Sequence, residues 1–383
     1  MSAVKTYKFK LYHAKRNRHL HRQIDVAGRI WNHCIALHRR YYRLTGKHLN
    51  QYQLMAHLAR LKRRPRYAEW NLVGSQAIQD IVQRIERSYA LFFRNLKAGV
   101  TPKPSPPGFR KVKKYSSFTF KQAGWKLLDG NRISIQGRVY KFSQSREIPP
   151  EVKTVTVKRD SLGALWLYFV VSVPDSPCDR TMSGHSAGFD FGLKAFLTTD
   201  TGHTIESPLY YRQAMAELKV AQQELARKVK GSRGWNVAKR VVARIQQRVV
   251  NKRRDFFFKL AHALTDRYDV LYFEDLNMKG MQRLWGRKVG DLARSEFMGI
   301  LEYVARVTGA VVQYVDRFYP SSKTCSACGW IYQGLQLSER HWVCAHCQAA
   351  HDRDRNAAIN IHREGASSRG LGKVRPERPA FAV

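Results

Sequence analysis

The sequence predicts a multidomain fold that joins an α+β part to an α/β part, and three observations carry that expectation. Residues 18–96 hold almost no glycine and repeat their apolar positions at a helical period, whereas residues 97–173 break into short alternating runs. From residue 181 onward, apolar strand-like runs alternate with long helical stretches. Two Cys-x2-Cys pairs interrupt the last of these alternations.

In chain order, "KTYKFKLYH" (5–13) alternates like a strand and is expected to join the β module that follows the helices, which makes the helical block an insertion. The last helix of that block, "SQAIQDIVQRIERSYALFFRNL", repeats Ile78, Ile81, Val82, Ile85, Tyr89 and Phe92 at a helical period. Four prolines and two glycines in "KAGVTPKPSPPGF" (97–109) end it. The strands "SSFTF", "RISIQG", "VYKFS", "KTVTVKRD" and "LWLYFVVSV" follow, and "PDSPCDRTMSGHS" (174–186) forms a second polar boundary. "AGFDFGLKAFLTTDTGHTI" then reads as three strands, with helices at roughly 208–230 and 235–267 after it. The strand "VLYFEDL", a helix near 291–307, the strand "AVVQYVDRF" and a last helix beginning near Arg355 complete the pattern. From Ser367 the tail is rich in Gly, Pro and Arg and is expected to be disordered. The expected division is therefore a β module (1–17 and 97–180), a helical insertion (18–96), an α/β domain (181–320 and 351–366), a cysteine module (321–350) and a basic tail (367–383).

Charge limits the function. The 68 Lys and Arg against 29 Asp and Glu give +39, spread along the whole chain. Self-repulsion on that scale points to a polyanionic partner, since solubility alone rarely calls for a net charge beyond roughly 8. Nucleic acid fits better than membrane: no apolar run approaches the roughly 20 residues that span a bilayer, and the start "MSAVKTYKFKLYHAKRNRH" lacks the apolar core of a signal peptide. A cytoplasmic protein, in the bacterial cytosol or nucleoid, is expected. Four of the six cysteines form the two pairs, while Cys34 and Cys178 are isolated, which suits metal binding in a reducing compartment better than disulfides.

Cys325, Cys328, Cys344 and Cys347, with fifteen residues between the pairs, have the spacing of a structural four-thiolate zinc site with no open coordination position. Gly329 follows the first knuckle, but Gln348 stands where a second glycine would relax the turn. Three acids form the other candidate set. Asp190 lies inside the apolar strand "GFDFGLKAF", where a carboxylate needs a cation or a buried basic partner. Glu274 ends the strand "VLYFEDL", at the end of an α/β strand where ligands bind, with an exposed turn acid as the alternative role. Asp354 opens the last helix, where an N-cap is the alternative role. Together they suit two magnesium ions about 4 Å apart, the arrangement that drives in-line phosphodiester hydrolysis. Residues 227–254 contain no acid, and Arg240, Arg244, Arg248 and Lys252 stand four apart on one helical face, with Val241, Val242, Ile245 and Val249 beside them. That face reads as a phosphate rail, or else as a solvated basic surface.

"YPSSKTCSACG", "CAHCQAAHDRDRNAAINI", "FEDLNMKGM" and "GFDFGLKAF" give the chain a resemblance, over nearly its whole length, to the TnpB family of RNA-guided nucleases encoded by bacterial insertion sequences and related to type V CRISPR effectors. The resemblance implies an RNase H-like RuvC domain interrupted by a zinc ribbon, and an N-terminal β-barrel (wedge) module that carries a helical recognition insertion. It places the catalytic acids at Asp190, Glu274 and Asp354, binding magnesium or manganese, with Asp352 in support. It also implies a guide RNA from the element's own transcript and a double-stranded DNA target cut beside a short flanking motif, and with no second nuclease motif visible in the sequence both strands are expected to be cut at the one site. Gln76 and Gln79, three apart on the polar side of their helix, are candidates for reading adenine in that motif. Gln348 and the phenylalanines flanking Asp190 depart from the family pattern. A guide-bound repressor that does not cut is the alternative, although such relatives typically lack one of the acids.

Overall fold

The computed structural model describes residues 2–174, 180–192, 195–275, 293–336 and 338–367. Cys178 and the tail beyond Ser367 lie outside them, as does the expected start of the helix near 291. The chain forms two compact units, Met1–Asp175 and Ser176–Val383.

The first unit begins with β1 (Ser2–Leu11), followed by α1 (Asn17–Thr45), α2 (Gln51–Leu61), a 3-10 helix (Pro65–Leu72) and α3 (Ser75–Lys97). The chain then returns to strands: β2 (Ser117–Phe120), β3 (Trp125–Leu128), β4 (Arg132–Ile135), β5 (Arg138–Ser143), β6 (Val152–Arg159) and β7 (Leu165–Pro174). All seven form one antiparallel sheet in the order β2-β6-β7-β1-β5-β4-β3. β1 lies inside this sheet, between β7 and β5. The edge strands β2 and β3 are joined by only residues 121–124, so the sheet must curl until its two edges nearly meet at that end. Gly124 makes the turn at φ +94°, where a Cβ would press 2.9 Å from the Phe120 ring. β3 is not legible as a strand in the sequence, because four residues at a sheet edge with one exposed Lys carry too little alternation.

The helices do not form a separate core. Ile24, Trp31 and Ile35 of α1 and Ile78, Ile81, Val82 and Ile85 of α3 are buried in one cluster with Phe118, Phe120, Val155, Val157 and Phe169 of the sheet. The helical period of α3 thus faces the strands, and Asn50 starts α2 with a capping box completed by Gln53.

The second unit contains β8 (Ser186–Asp190), β9 (Ala195–Thr199), β10 (Thr204–Glu206), α4 (Tyr210–Arg227), α5 (Arg233–Arg267), β11 (Val270–Glu274), α6 (Arg294–Thr308), β12 (Val311–Val315), β13 (His341–Val343), β14 (Ala350–Asp352) and α7 (Arg353–Ser367). Its five-stranded sheet runs β10-β9-β8-β11-β12, with β8, β11 and β12 parallel and the two strands at the other edge antiparallel. Alternation sends Ala187, Phe189, Leu271 and Phe273 to a face packed by Phe257, Ala261, Phe297 and Leu301 of α5 and α6. Tyr272 and Val315 point the opposite way, toward Ile361 of α7. Burial on both faces is why β8 and β11 read as continuous apolar runs.

α7 starts at Arg353, two residues before the expected Arg355, and lies close on the sheet. Gly365 permits this, since a Cβ there would meet the Tyr272 ring at 2.1 Å. His362 pins the helix: its Nδ1 lies 2.5 Å from Asp200 Oδ2, and its Nε2 is hydrogen bonded to Ser186 Oγ at 2.8 Å.

Candidate active site and metal centre

Parallel pairing sets Phe273 opposite Phe189, and the next residues along the two strands are Glu274 and Asp190. Both acids therefore leave the carboxyl ends of neighbouring strands at the same level, where α/β sheets bind ligands. Phe189 and Phe191, on either side of Asp190, both pack on the Phe273 ring, at 5.0 and 5.5 Å between centroids. Burial pushes the Asp190 carboxyl up to about 7; Glu274 and Asp354 push the same way, while Arg294 and Arg353 oppose them. Glu274 and Asp354 thus both lie within electrostatic reach of Asp190.

The partners of the acids differ. Burial also raises Glu274, opposed by the Ser321 hydroxyl, which donates to its Oε1, and by Arg294. Asp354 accepts from Arg340 Nη1 at 2.9 and 3.3 Å. It does not cap α7: Asp352 Oδ1 accepts the Arg355 N–H at 2.9 Å, so the cap is Asp352, and Asp354 stands in the first turn held by Arg340.

Sequence reasoning missed Ser321, Arg340 and Arg294. Arg294 had one available signal, a cation in the first turn of an apolar helix, where the helix dipole disfavours it unless acids lie nearby.

The cysteine module is built from two equivalent turns. The Gly329 N–H donates to Cys325 O and the Gln348 N–H to Cys344 O, both at 2.9 Å, with φ +80° and +62°. Gln348 therefore adopts the left-handed turn that Gly329 makes without strain. All four Sγ atoms lie within 4.8 Å of one another, the one group of three or more possible metal ligands that close among the described residues. Cys325 and Cys347 are 3.6 Å apart and Cys328 and Cys344 3.7 Å, against about 3.8 Å between thiolates around tetrahedral zinc. The cysteines fit zinc. The acids offer three oxygen donors of a kind that suits magnesium or manganese and not a soft metal.

Trp342, Leu335, Cys325 and Cys344 make the small core of this module, and His351 Nε2 lies 3.1 Å from Cys325 Sγ, placed to orient that ligand. Two buried asparagines of α7 grip the loop before the first knuckle. Asn356 donates to Thr324 O at 2.7 Å and accepts the Ser326 N–H at 2.9 Å, and Asn360 donates to Ser321 O at 2.8 Å and Thr324 O at 2.6 Å.

The remaining candidates are more dispersed. Arg240, Arg244, Arg248 and Lys252 are all exposed along α5, but Arg248 is drawn into a salt bridge with Glu217 of α4 at 3.2 Å. Val242, Ile245 and Val249 are buried under that helix, whereas Val241 is 41% exposed. In the first unit, Gln79 is exposed on the lining of a groove of about 860 Å³ that also carries Lys62, Arg63 and Arg64; Gln76 is half-buried and does not line it.

Comparison with known proteins agrees with this architecture. Residues 168–284 match the OrfB family of IS605 elements, described as "Probable transposase", and residues 295–361 match the Cas12f1-like TNB domain. A Streptomyces pristinaespiralis protein named for an RNA-guided DNA endonuclease is 30% identical over 85% of this chain and 80% of its own length. InsQ of Escherichia coli K12, named in the same way, is 26% identical over 78% and 77%. Acanthamoeba polyphaga mimivirus has a TnpB-like protein, L79, 28% identical over 59% of this chain and 46% of its own. Among solved structures, Cas12f1 in its complex with sgRNA and target DNA shares the fold with a TM-score of 0.56, at 14% identity over 94% of this chain and 99% of that one. The mini-RNA-guided endonuclease Cas-phi3 does so at 0.51, with 9% identity over 95% and 92%. Identity sustained over most of both chains, with these motifs in place, shows that the chain belongs to the TnpB family.

Proposed function

We propose that this protein is an RNA-guided endonuclease that hydrolyses double-stranded DNA beside a short flanking motif, using a single site formed by Asp190, Glu274 and Asp354. The observation that carries this reading is the level placement of Asp190 and Glu274 on neighbouring parallel strands, with Asp354 in electrostatic contact. On this reading residues 181–320 and 351–366 are a RuvC domain, 321–350 a structural zinc ribbon, 1–17 and 97–180 a wedge module, and 18–96 the recognition helices. The guide is an RNA from the element's own transcript, and the protein acts in the bacterial cytoplasm. No helix among the described residues is long and apolar enough to cross a membrane.

Divalent ions, magnesium or manganese, supply an ionised water and charge neutralisation for in-line displacement when bound. The chain's own residues prepare that chemistry. Asp190 and Glu274 would hold the ions from strands buried on both faces, so their oxygens need little reorganisation. Ser321 orients Glu274, the packed rings of Phe189, Phe191 and Phe273 fix the ends of the two strands that carry the acids, and Asp354 completes the set from α7. Arg340, now paired with Asp354, brings a cation to the edge of the acids, where a scissile phosphate would lie.

The test is purification from the host with copurifying RNA, followed by parallel binding and cleavage assays. Asp190→Ala should abolish cutting and leave binding of guide and target nearly intact, because Lys and Arg supply that affinity. Substantial cutting by the Asp190 or Glu274 variant would refute the site, and binding without cutting by the wild type would favour the repressor.

A further inference from the structure

Arg294 is a buried cation within electrostatic reach of Asp190 and Glu274, and it touches the chain where that chain leaves Asp190. It is 2% exposed. Its Nη2 donates to Phe191 O at 2.9 Å and Gly192 O at 2.8 Å, the carbonyls of the two residues that follow Asp190. Its guanidinium carbon stands 5.1 Å from the Phe191 ring centroid. Among the described residues its Nε has no hydrogen-bond partner. Burying a guanidinium in the first turn of α6 works against both desolvation and the helix dipole. The compensation available is the acid pair, and the attraction of Asp190 and Glu274 acts on Arg294 against its burial.

We propose that Arg294 is a positioning residue with an electrostatic role: it anchors the turn after Asp190 and, as a permanent charge, keeps the affinity of the acid site for divalent cations low until substrate arrives. This rests on the reading of Asp190 and Glu274 as metal ligands. A fixed positive charge inside an apolar wall competes with a divalent ion for the same carboxylates. The scissile phosphate adds negative charge at the site and restores the attraction. Metal occupancy thereby becomes dependent on DNA, which guards against idle hydrolysis.

The experiment measures Mn2+ binding, by the electron paramagnetic resonance of free Mn2+, to the full chain with its copurified RNA, with and without a cleavage-resistant target duplex. Arg294→Gln removes the charge but keeps a donor for the carbonyls, and Arg294→Lys keeps the charge. The glutamine variant should bind Mn2+ about tenfold more tightly without DNA and lose most of the enhancement that DNA gives the wild type, while the lysine variant stays near wild type. Unchanged or weaker Mn2+ binding by a folded glutamine variant would overturn the proposal, leaving Arg294 a structural anchor. Should the glutamine variant not fold, the lysine variant decides: wild-type affinity supports the proposal, and tightening of about tenfold overturns it. Loss of Mn2+ binding in Asp190→Ala separates this outcome from failure of the nuclease reading, in which the wild type itself would show no binding dependent on Asp190 or Glu274.

Discussion

Gly188 lies directly beneath Ala358: a Cβ on the glycine would fall 2.2 Å from the Ala358 carbonyl oxygen and 2.6 Å from the His362 nitrogen. The backbone of α7 thus touches the backbone of β8, and that contact sets how near Asp354 comes to Asp190. Gly188→Ala must lift the helix, because neither neighbour is a flexible side-chain end. The expected result is a loss of about 1–3 kcal/mol of stability, with cleavage falling far more than nucleic-acid binding. Denaturant melts beside the two assays check it, and an unchanged cleavage rate would show that Asp354 does not need this contact.

A second prediction follows from the burial of Asp190. Its carboxyl, pushed up to about 7, holds its proton more tightly in the folded chain than in the unfolded one. Its contribution to stability is therefore fully present below about pH 4 and is lost as pH rises through about 7, with an upper bound of about 4 kcal/mol. In the presence of chelator, Asp190→Asn should melt higher than the wild type at pH 8 and show a smaller difference at pH 5. Equal melting temperatures at pH 8 would mean that the carboxylate is better solvated than its surroundings suggest.

Much of this was legible in the sequence, for identifiable reasons. The period of Ile78, Ile81, Val82 and Ile85 survives into α3 because that face packs on a sheet, and the cysteine spacing specifies its own geometry. The level placement of Asp190 and Glu274 was not legible, since it depends on a parallel register between distant segments that no local pattern encodes. Arg294 and Arg340 were hidden for a related reason. In a chain with 68 basic residues, a guanidinium that is buried, as Arg294 is, or paired with an acid, as Arg340 is, looks like any other until the fold is seen. Asp352 and Asp354 are two residues apart, and only the start of α7 at Arg353 decides which of them caps.

The asparagine grip on the cysteine module gives a third prediction. Asn360→Ala removes one of the two asparagine donors to the carbonyls of Ser321 and Thr324, at a cost of about 0.5–1.5 kcal/mol. Zinc, expected at about one per chain, should then be lost faster to a chelator, as in Cys344→Ser, whereas Asp190→Ala should retain it. Ser321 also orients Glu274, so cleavage should fall with zinc retention. Elemental analysis showing full zinc in Asn360→Ala after chelation would separate the loop from the metal.

Gln79 and Gln76 should differ. Only Gln79 lines the groove that carries Lys62, Arg63 and Arg64, so Gln79→Ala should relax the preference for the flanking motif in a cleavage screen, while Gln76→Ala should change it little. Equal effects, or none, would place motif reading elsewhere.

The basic face of α5 yields the last prediction, and the salt bridge sharpens it. If Arg240, Arg244 and Lys252 contact phosphates, neutralising each should flatten the dependence of log affinity on log salt by roughly 0.7 to 0.9, regardless of target sequence. Arg248 is different, because Glu217 already holds it at 3.2 Å and an exposed pair of this kind is worth only about 0 to 1 kcal/mol. A phosphate can therefore compete for Arg248, but only by displacing the carboxylate. Arg248→Ala should flatten the slope less than Arg244→Ala does. Glu217→Ala, which frees the guanidinium and removes a repelling charge, should tighten binding and steepen the slope. Binding titrations over a range of salt concentrations read both directions in one experiment. A Glu217→Ala slope equal to the wild type's, together with unchanged slopes in the three arginine variants, would make this helix a solvated surface and move the phosphate contacts to another face.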